Sequence, residues 1–157
     1  MEQIFGRVNS LLKNYYLLLY AAHLNTSVTL KRTDGSDYSF NPGGCRSTGT
    51  TRIISCLAPE EVTSWGILIG TSDIAVSPTD YKLGELFSCW YSAVTISELN
   101  GASELEITRY FLNDSSDVYI REFGLAEHHR VLILRDVISP LSFPKDYSLL
   151  IKLKFSF

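Results

Sequence analysis

The sequence predicts a mainly β protein, an antiparallel β-sandwich preceded by an N-terminal α-helix. Aromatic residues make up 12% of the 157 residues, and aromatic and β-branched residues favour strands. From residue 25 onward, short alternating or wholly apolar segments recur between turn-forming residues. Helical periodicity is confined to the first 24 residues. We therefore divide the chain into an N-terminal helix or assembly arm (1–24) and a sandwich domain (25–157).

Composition limits the classes of function. A length of 157 residues with 45% apolar content is typical of one domain with a hydrophobic core. The 14 basic and 17 acidic residues give a net charge of -3, without the basic excess typical of nucleic-acid binding. The longest apolar run, residues 15–22, is far shorter than the roughly 20 residues that span a bilayer. We expect neither a nucleic-acid nor a membrane partner.

The N-terminal segment has apolar residues at three- and four-residue steps, which predicts one helix over residues 2–24. Glu2 suits the start of a helix, and Asn25 suits its end. The tyrosine-rich second half is also compatible with a strand. The periodic residues are Ile4, Val8, Leu11, Leu12, Tyr15, Leu18, Leu19 and Ala22.

A helix of this kind must bury its apolar stripe, either on its own sheet or on a neighbouring subunit. Aromatic side chains with polar tips are enriched at protein interfaces. We therefore predict that the helix docks on a neighbour through Tyr15, Tyr16, Leu19 and Tyr20.

Two turn signals predict hairpins in the rest of the chain. Asp34-Gly35 separates strands at 27–31 and 37–40, and Asn100-Gly101 separates strands at 90–97 and 104–112. The wholly apolar segment 66–70 predicts a strand buried on both faces.

Three further strands are predicted at 118–123, 131–138 and 149–157. In the last one, Ile151 and Leu153 alternate with Lys152 and Lys154, which is typical of a half-buried strand. Seven or eight strands at this spacing favour a sandwich of jelly-roll or immunoglobulin-like form.

Several polar groups were weighed as catalytic or metal-binding sites. Adjacent His128 and His129 point to opposite faces of an extended segment, which disfavours a shared metal. Glu104 and Glu106 could mimic a glycosidase pair, but two glutamates on a solvent-facing strand are the simpler interpretation. The oxygen-rich segment 113–117 is interpreted as a turn rather than a calcium site. We predict no catalytic residue, no metal and no cofactor.

The three cysteines, Cys45, Cys56 and Cys89, are an odd number without a CxxC motif. This favours free thiols in a protein assembled in a reducing cytoplasm. A Cys45–Cys56 bridge stays open as an alternative.

Residues 66–157 carry a series of short motifs in order. An apolar strand ends in Gly-Thr-Ser and is followed by Asp-Tyr-x-Leu. Next, a strand with an aromatic residue near its end leads through a polar turn to a strand that ends in Glu-x-Gly-Leu. An apolar strand that contains Arg follows, and after it a turn that contains Pro. The motifs are Gly70-Thr71-Ser72, Asp80-Tyr81-Lys82-Leu83, Phe111-Leu112-Asn113, Glu122-Phe123-Gly124-Leu125, Arg135, Pro140 and Pro144.

In this order the motifs resemble those of structural proteins of tailed bacteriophages. The resemblance implies a non-enzymatic virion component of the capsid-decoration, collar or tail-associated type, assembled in the host cytoplasm. It further implies contacts with copies of the chain itself, as a homo-oligomer, and with other capsid, collar or tail proteins. The turn at 144–146 lacks the glycine that is usual there, and residues 1–65 lie outside the resemblance.

The same residues have a physical interpretation of their own. Gly124 suits a backbone position that a side chain would strain. Glu122 and Arg135 lie on consecutive predicted strands and could form a cross-strand pair or an exposed pair. The alternative function is a carbohydrate- or receptor-binding sandwich, which requires a groove with exposed aromatics such as Trp65 and Trp90.

Overall fold

The computed structural model describes residues 2–5, 11–42, 66–90, 93–99, 102–127 and 130–156. The fold is mainly β with one helix near the N-terminus, as predicted. The elements are β1 (Glu2–Phe5), α1 (Lys13–Leu24), β2 (Val28–Lys31), β3 (Asp37–Phe40), β4 (Gly66–Gly70), β5 (Leu86–Trp90), β6 (Ala93–Leu99), β7 (Ala102–Leu112), β8 (Val118–Ala126), β9 (Leu132–Phe143) and β10 (Ser148–Ser156).

The strands form two four-stranded sheets and a separate hairpin. Sheet I has the order β1-β10-β7-β6, sheet II has the order β5-β4-β8-β9, and β2 pairs with β3. All pairings are antiparallel except that of β1 with β10. Buried side chains from both sheets share one hydrophobic cluster, as two facing sheets of a sandwich do. The cluster includes Ile67, Ile69, Ile107, Phe111, Ile120, Phe123, Leu125, Leu149, Ile151 and Leu153.

The prediction of one helix over residues 2–24 is wrong in its first half. Glu2–Phe5 is a strand that runs parallel to β10, with Phe5 opposite Leu153, and the helix covers only Lys13–Leu24. Without β1, β10 would be an edge strand. Pairing of β1 with β10 satisfies backbone N–H and C=O groups on both strands, whereas a short helix leaves such groups unpaired at its ends. The predicted stop at Asn25 is confirmed. This residue adopts a left-handed conformation (φ 52°, ψ 45°), and its N–H donates to the Ala21 carbonyl.

The inner side of α1 belongs to the core of the domain. Leu12 and Ala21 are fully buried, and the Asn14 side chain is buried beside them. The Asn14 amide donates two hydrogen bonds of 3.1 Å, to the carbonyls of Lys31 and Leu132. Because both partners are backbone groups of β2 and β9, this one side chain fixes the helix against two strands.

Both predicted hairpins are present. In the first, Gly35 has φ +86° and the Asp34 carboxylate accepts the Ser36 N–H at 2.8 Å, which forms a tight turn. In the second, Leu99 pairs with Ala102 across the predicted two-residue turn, whose own residues lie outside the described ranges.

The predicted strand at 90–97 is two strands. Leu86–Trp90 pairs with β4 in sheet II, whereas Ala93–Leu99 pairs with β7 in sheet I. The chain crosses between the sheets here, so one alternation pattern spans two strands. The buried faces predicted for 66–70 and for Ile151 and Leu153 are confirmed.

Candidate functional site

The outer side of α1 exposes an apolar and aromatic surface, which we call the helix face and define as Tyr16, Leu19, Tyr20 and Leu24. Tyr16 is 58% exposed and Tyr20 54%, and the two leucines are also exposed. The spacing i, i+3, i+4 and i+8 places all four on one side of the helix. Exposed His23, at i+7 from Tyr16, lies on the same side, so the face is largely apolar and aromatic with one basic side chain.

Three of the four predicted interface residues lie on the helix face. Tyr16, Leu19 and Tyr20 are exposed there, whereas Tyr15 is half-buried and packs against the main core. The Tyr15 ring meets the Tyr16 ring edge-on, with centroids 5.6 Å apart, and so supports it from below. Leu24 was missed, although its position four residues after Tyr20 was a signal that could have found it.

The two ends of α1 differ in charge. Lys13 is exposed in the first turn, and that turn contains no acidic residue. A helix N-terminus already carries a partial positive charge and its C-terminus a partial negative one. The Lys13 end of the helix face is therefore positive, whereas at the Leu24 end the negative end of the dipole lies beside exposed His23, a basic side chain in the last turn.

Sheet I exposes a second apolar surface on its outer side, which we call the sheet face and define as Tyr110, Leu112 and Leu150. Tyr110 is 63% exposed and Leu112 65%, and both point outward because β7 alternates about buried Phe111. Half-buried Leu150 lies opposite Tyr110 on β10. Exposed Tyr147 lies in the turn that leads into β10.

Charged residues lie at both ends of the sheet face. Exposed Asp114 and Asp146 lie in the turns at the Leu112 end. At the opposite end, Lys152 and Lys154 both approach the Glu106 carboxylate, at 3.8 and 3.3 Å. The sheet face thus has an excess of acidic side chains at one end, where Lys145 accompanies Asp114 and Asp146, and an excess of basic ones at the other, where Glu106 accompanies the two lysines.

Glu106, one of the two glutamates weighed as a catalytic pair, is held by lysines. Partial burial favours its neutral form, but hydrogen bonds from Thr108 and Lys154 and the charges of Lys152 and Lys154 lower the pKa of Glu106 below its ordinary value. An acid depressed in this way stabilises the fold at neutral pH, and its contribution is lost as pH falls through the folded pKa. The side chain of Glu104 lies outside the described part.

We predict that Glu106 titrates below the ordinary glutamate pKa of about 4.3. Replacing Lys154 with Met should raise that pKa, because a donor and a positive charge are removed. Lys145→Met, at an exposed lysine in a distant turn, should leave it unchanged. Carboxyl-detected NMR titration measures all three, and an unchanged Glu106 pKa in Lys154→Met contradicts the pairing.

A buried charge cluster joins three of the sequence motifs, those of Asp80, Glu122 and Arg135. The Arg135 Nε donates to the Glu122 carboxylate at 2.8 Å, and the two side chains are 3% and 0% exposed. The predicted cross-strand pair is therefore confirmed, and the exposed alternative is wrong. Arg135 also donates to the Asp80 carboxylate and to the Ile74 carbonyl. Burial opposes its charge, but these bonds to Asp80 and Glu122 outweigh burial and raise the pKa of Arg135.

The cluster holds residues 71–85 against sheet II. The Glu122 carboxylate accepts the backbone N–H groups of Gly84 and Glu85 at 3.0 and 2.8 Å. Close contacts also need glycine at two positions. A Cβ on Gly70 would overlap the Glu85 carbonyl, and one on Gly124 would lie 2.9 Å from the Leu134 carbonyl. Gly70, Glu122 and Gly124 belong to the series of motifs found in residues 66–157, and in the structure they stabilise the fold.

The other weighed sites have no catalytic geometry among the described residues. No group of three His, Cys, Asp or Glu there could hold a metal ion. Asn113 is buried and donates to the Ser116 and Phe143 carbonyls at 2.7 Å, so 113–117 is a structural turn. Burial raises the pKa of the Cys89 thiol to about 11, which leaves little thiolate at neutral pH.

Four predictions concern residues or side chains outside the described part of the chain. They are the paired histidines 128 and 129, the Cys45–Cys56 bridge, and the exposure of Trp65 and of the Trp90 side chain. Among the helices that are described, none is long and apolar enough to cross a membrane.

The fold and these surfaces define the chain as a mainly β domain with two exposed apolar faces and a buried charge cluster. Comparison with protein-family models, with curated proteins and with solved structures finds no match to the chain.

Proposed function

We propose that this chain is a non-enzymatic virion structural protein, assembled in a host cytoplasm, that acts through contacts with copies of itself and with neighbouring capsid, collar or tail proteins. The observation that carries the proposal is the helix face, where two tyrosines and two leucines are exposed on a helix whose other side is core.

The size of the helix face suits protein recognition. Its exposed side chains present about 400 Å² of largely apolar surface, which is within the range of functional patches on small proteins. Tyrosine is enriched among residues that dominate binding energy, because it buries a large rigid ring and keeps a polar tip. Half-buried Tyr15 beneath Tyr16 limits the rotamers of the exposed ring, which lowers the entropy lost on docking.

The virion assignment is supported by the resemblance of residues 66–157 to phage structural proteins. The motif residue Arg135 contacts both Asp80 and Glu122, Gly70 lies beside Glu122, and Gly124 pairs with Arg135. Motifs that specify a rigid scaffold and carry no catalytic group suit a structural component that functions through protein–protein contacts.

A carbohydrate- or receptor-binding module is the second candidate. Tyr110 and Tyr147 are exposed at the same end of sheet I, and aromatic rings on a flat sheet surface suit stacking with sugars. Glycan-array binding that Tyr110→Ala abolishes, in a chain that stays monomeric, would favour this candidate over assembly.

We predict that the double variant Tyr16→Glu/Tyr20→Glu weakens self-association at least tenfold while the domain stays folded. The two glutamates place charge on an apolar contact, and neither position contributes to the core. Sedimentation velocity over a range of concentrations measures the assembly, and circular dichroism checks the fold. Ile74→Glu, at a 65% exposed apolar residue outside both faces, is the matched control. Equal assembly of all three chains would contradict the role of the helix face.

The particle itself provides the second test. Mass spectrometry of density-purified particles should detect the wild-type chain at a fixed ratio to the major capsid protein and should not detect the double variant. A wild-type chain that is missing from such particles would overturn the virion assignment.

A further inference from the structure

We propose that copies of this chain associate head to tail, with the helix face of one copy lying along the sheet face of the next. The inference rests on the proposed function, because it names the partner of the helix face as a second copy. It is carried by three properties that the two faces share: length, apolar content and a matching order of charge.

The two faces lie on different elements of the domain. The helix face is the outer side of α1, which packs against β2 and β9. The sheet face lies on β7 and β10, on the outer side of sheet I. One copy can therefore use its helix face and its sheet face at the same time. Such a contact joins unlike surfaces and builds a ring or an open filament rather than a two-fold dimer.

Helix α1 and the part of β10 that runs between the charged ends of the sheet face agree in length. The 12 residues of α1 extend about 18 Å along the helix axis. On β10, the distance from Ser148 to Lys154 is about 20 Å. The helix can thus cover the sheet face from its acidic end to its basic end without overhang.

The order of charge fixes the direction of docking. Lys13 and the positive end of the helix dipole would lie over Asp114 and Asp146. The negative end of the dipole would lie over the lysine pair beside Glu106. Reversing the helix would place Lys13 over the lysine pair, so one orientation is favoured.

The apolar centres then meet between the charged ends. Tyr16 and Tyr20 lie against Tyr110 and Leu112, the most exposed side chains of the opposite face. Each face contributes about 400 Å², so one contact buries about 800 Å², below the 1,200 Å² of a standard stable interface. A single contact is therefore weak, so association is measured at high protein concentration.

Mixing two single-face variants tests the inference. Tyr20→Glu removes the helix face and keeps the sheet face, and Leu112→Glu does the reverse; both side chains are exposed. We expect each variant to be monomeric alone and an equimolar mixture to form 1:1 pairs that grow no further. The wild type should form larger species at the same concentration, as measured by sedimentation velocity and light scattering. Tyr20→Ser and Leu112→Thr are the second pair if either glutamate variant misfolds.

The outcomes separate this inference from the proposed function. If Tyr20→Glu is monomeric but Leu112→Glu still associates, the helix faces pair with each other and the head-to-tail contact is wrong, while assembly through α1 stands. A mixture that stays monomeric also overturns the head-to-tail contact. A wild-type chain that is monomeric at all accessible concentrations contradicts self-assembly itself.

A charge exchange tests the orientation. Lys13→Glu should weaken association about tenfold at low salt, although a glutamate there suits its own helix and should not lower thermal stability. Asp114→Lys should weaken association similarly. Mixing the two variants should restore association, because the exchanged charges are again opposite in sign across the contact. Unchanged association of both variants in low salt would overturn the proposed direction.

Discussion

Replacing Arg135 with Met is expected to lower the free energy of unfolding by about 3–5 kcal/mol, the largest effect of any single substitution proposed for this chain. The guanidinium donates to Glu122, Asp80 and the Ile74 carbonyl, so its loss removes three donors at once. Glu122 is fully buried and would keep only its two backbone donors, which leaves a buried charge poorly compensated.

Arg121→Met provides the matched control for this substitution. Arg121 lies one residue before Glu122, and its partner Asp73 is 73% exposed, so the pair is a surface ion pair. Its loss should cost between zero and about 1 kcal/mol. Urea unfolding followed by tryptophan fluorescence measures both variants. Equal unfolding midpoints for the two arginine variants would show that the buried cluster does not hold residues 71–85.

A second substitution identifies the cause of the loss. Adding Glu122→Gln to Arg135→Met removes the uncompensated charge and keeps one carbonyl oxygen, which can accept the N–H of either Gly84 or Glu85. The double variant should therefore be more stable than Arg135→Met alone. If the losses of unfolding free energy caused by Arg135→Met and by Glu122→Gln simply add in the double variant, the cost of Arg135→Met comes from lost packing rather than from the buried carboxylate.

Local signals in the sequence were sufficient to predict those features of the fold that depend on residues close together in the chain. The Asp-Gly turn identified the first hairpin, and alternation about Ile151 and Leu153 identified the buried side of β10. The Glu122–Arg135 pair could be predicted because its strands are consecutive, so their pairing needs no long-range information.

Features that depend on distant pairing could not be read from the sequence. β1 exists because β10, more than 140 residues away, offers a free edge, whereas the spacing of the first apolar residues is compatible with a helix. Likewise, the alternation around Trp90 continues across a change of sheet. Asp80 joins the buried cluster from a loop 55 residues before Arg135, and nothing in its local sequence indicates a buried partner.

The candidate site was predictable in part for the same reason. Tyrosines on a helix predict an interface, but which of them face outward depends on where the helix meets the core, and Tyr15 faces inward. The sheet face depends on the register of β7 and β10, which places Tyr110 opposite Leu150. Its two charged ends are formed by turns and strands that are separated in the sequence.

Deleting residues 1–24 is expected to unfold the domain, the second large effect. The inner side of α1 supplies Leu12 and Ala21 to the core, and Asn14 fixes the helix to β2 and β9. Truncating one buried leucine costs about 2–5 kcal/mol, and the deletion removes several buried groups as well as the strand paired with β10. The combined loss is comparable with the 5–15 kcal/mol or so that stabilises a typical domain.

Comparison of this deletion with the helix-face variants separates the two roles of α1, packing in the core of its own domain and contact with a neighbouring chain. Far-ultraviolet circular dichroism should show loss of the β signal in the truncated chain and its retention in Tyr16→Glu/Tyr20→Glu. Leu12→Ala should lie between them, folded but with a lower unfolding midpoint, because it leaves a cavity in an otherwise intact core. A truncated chain that stays folded and monomeric would instead make residues 1–24 a detachable assembly arm. In the structure, the inner side of α1 packs within its own domain, and its outer side alone is left for a neighbour.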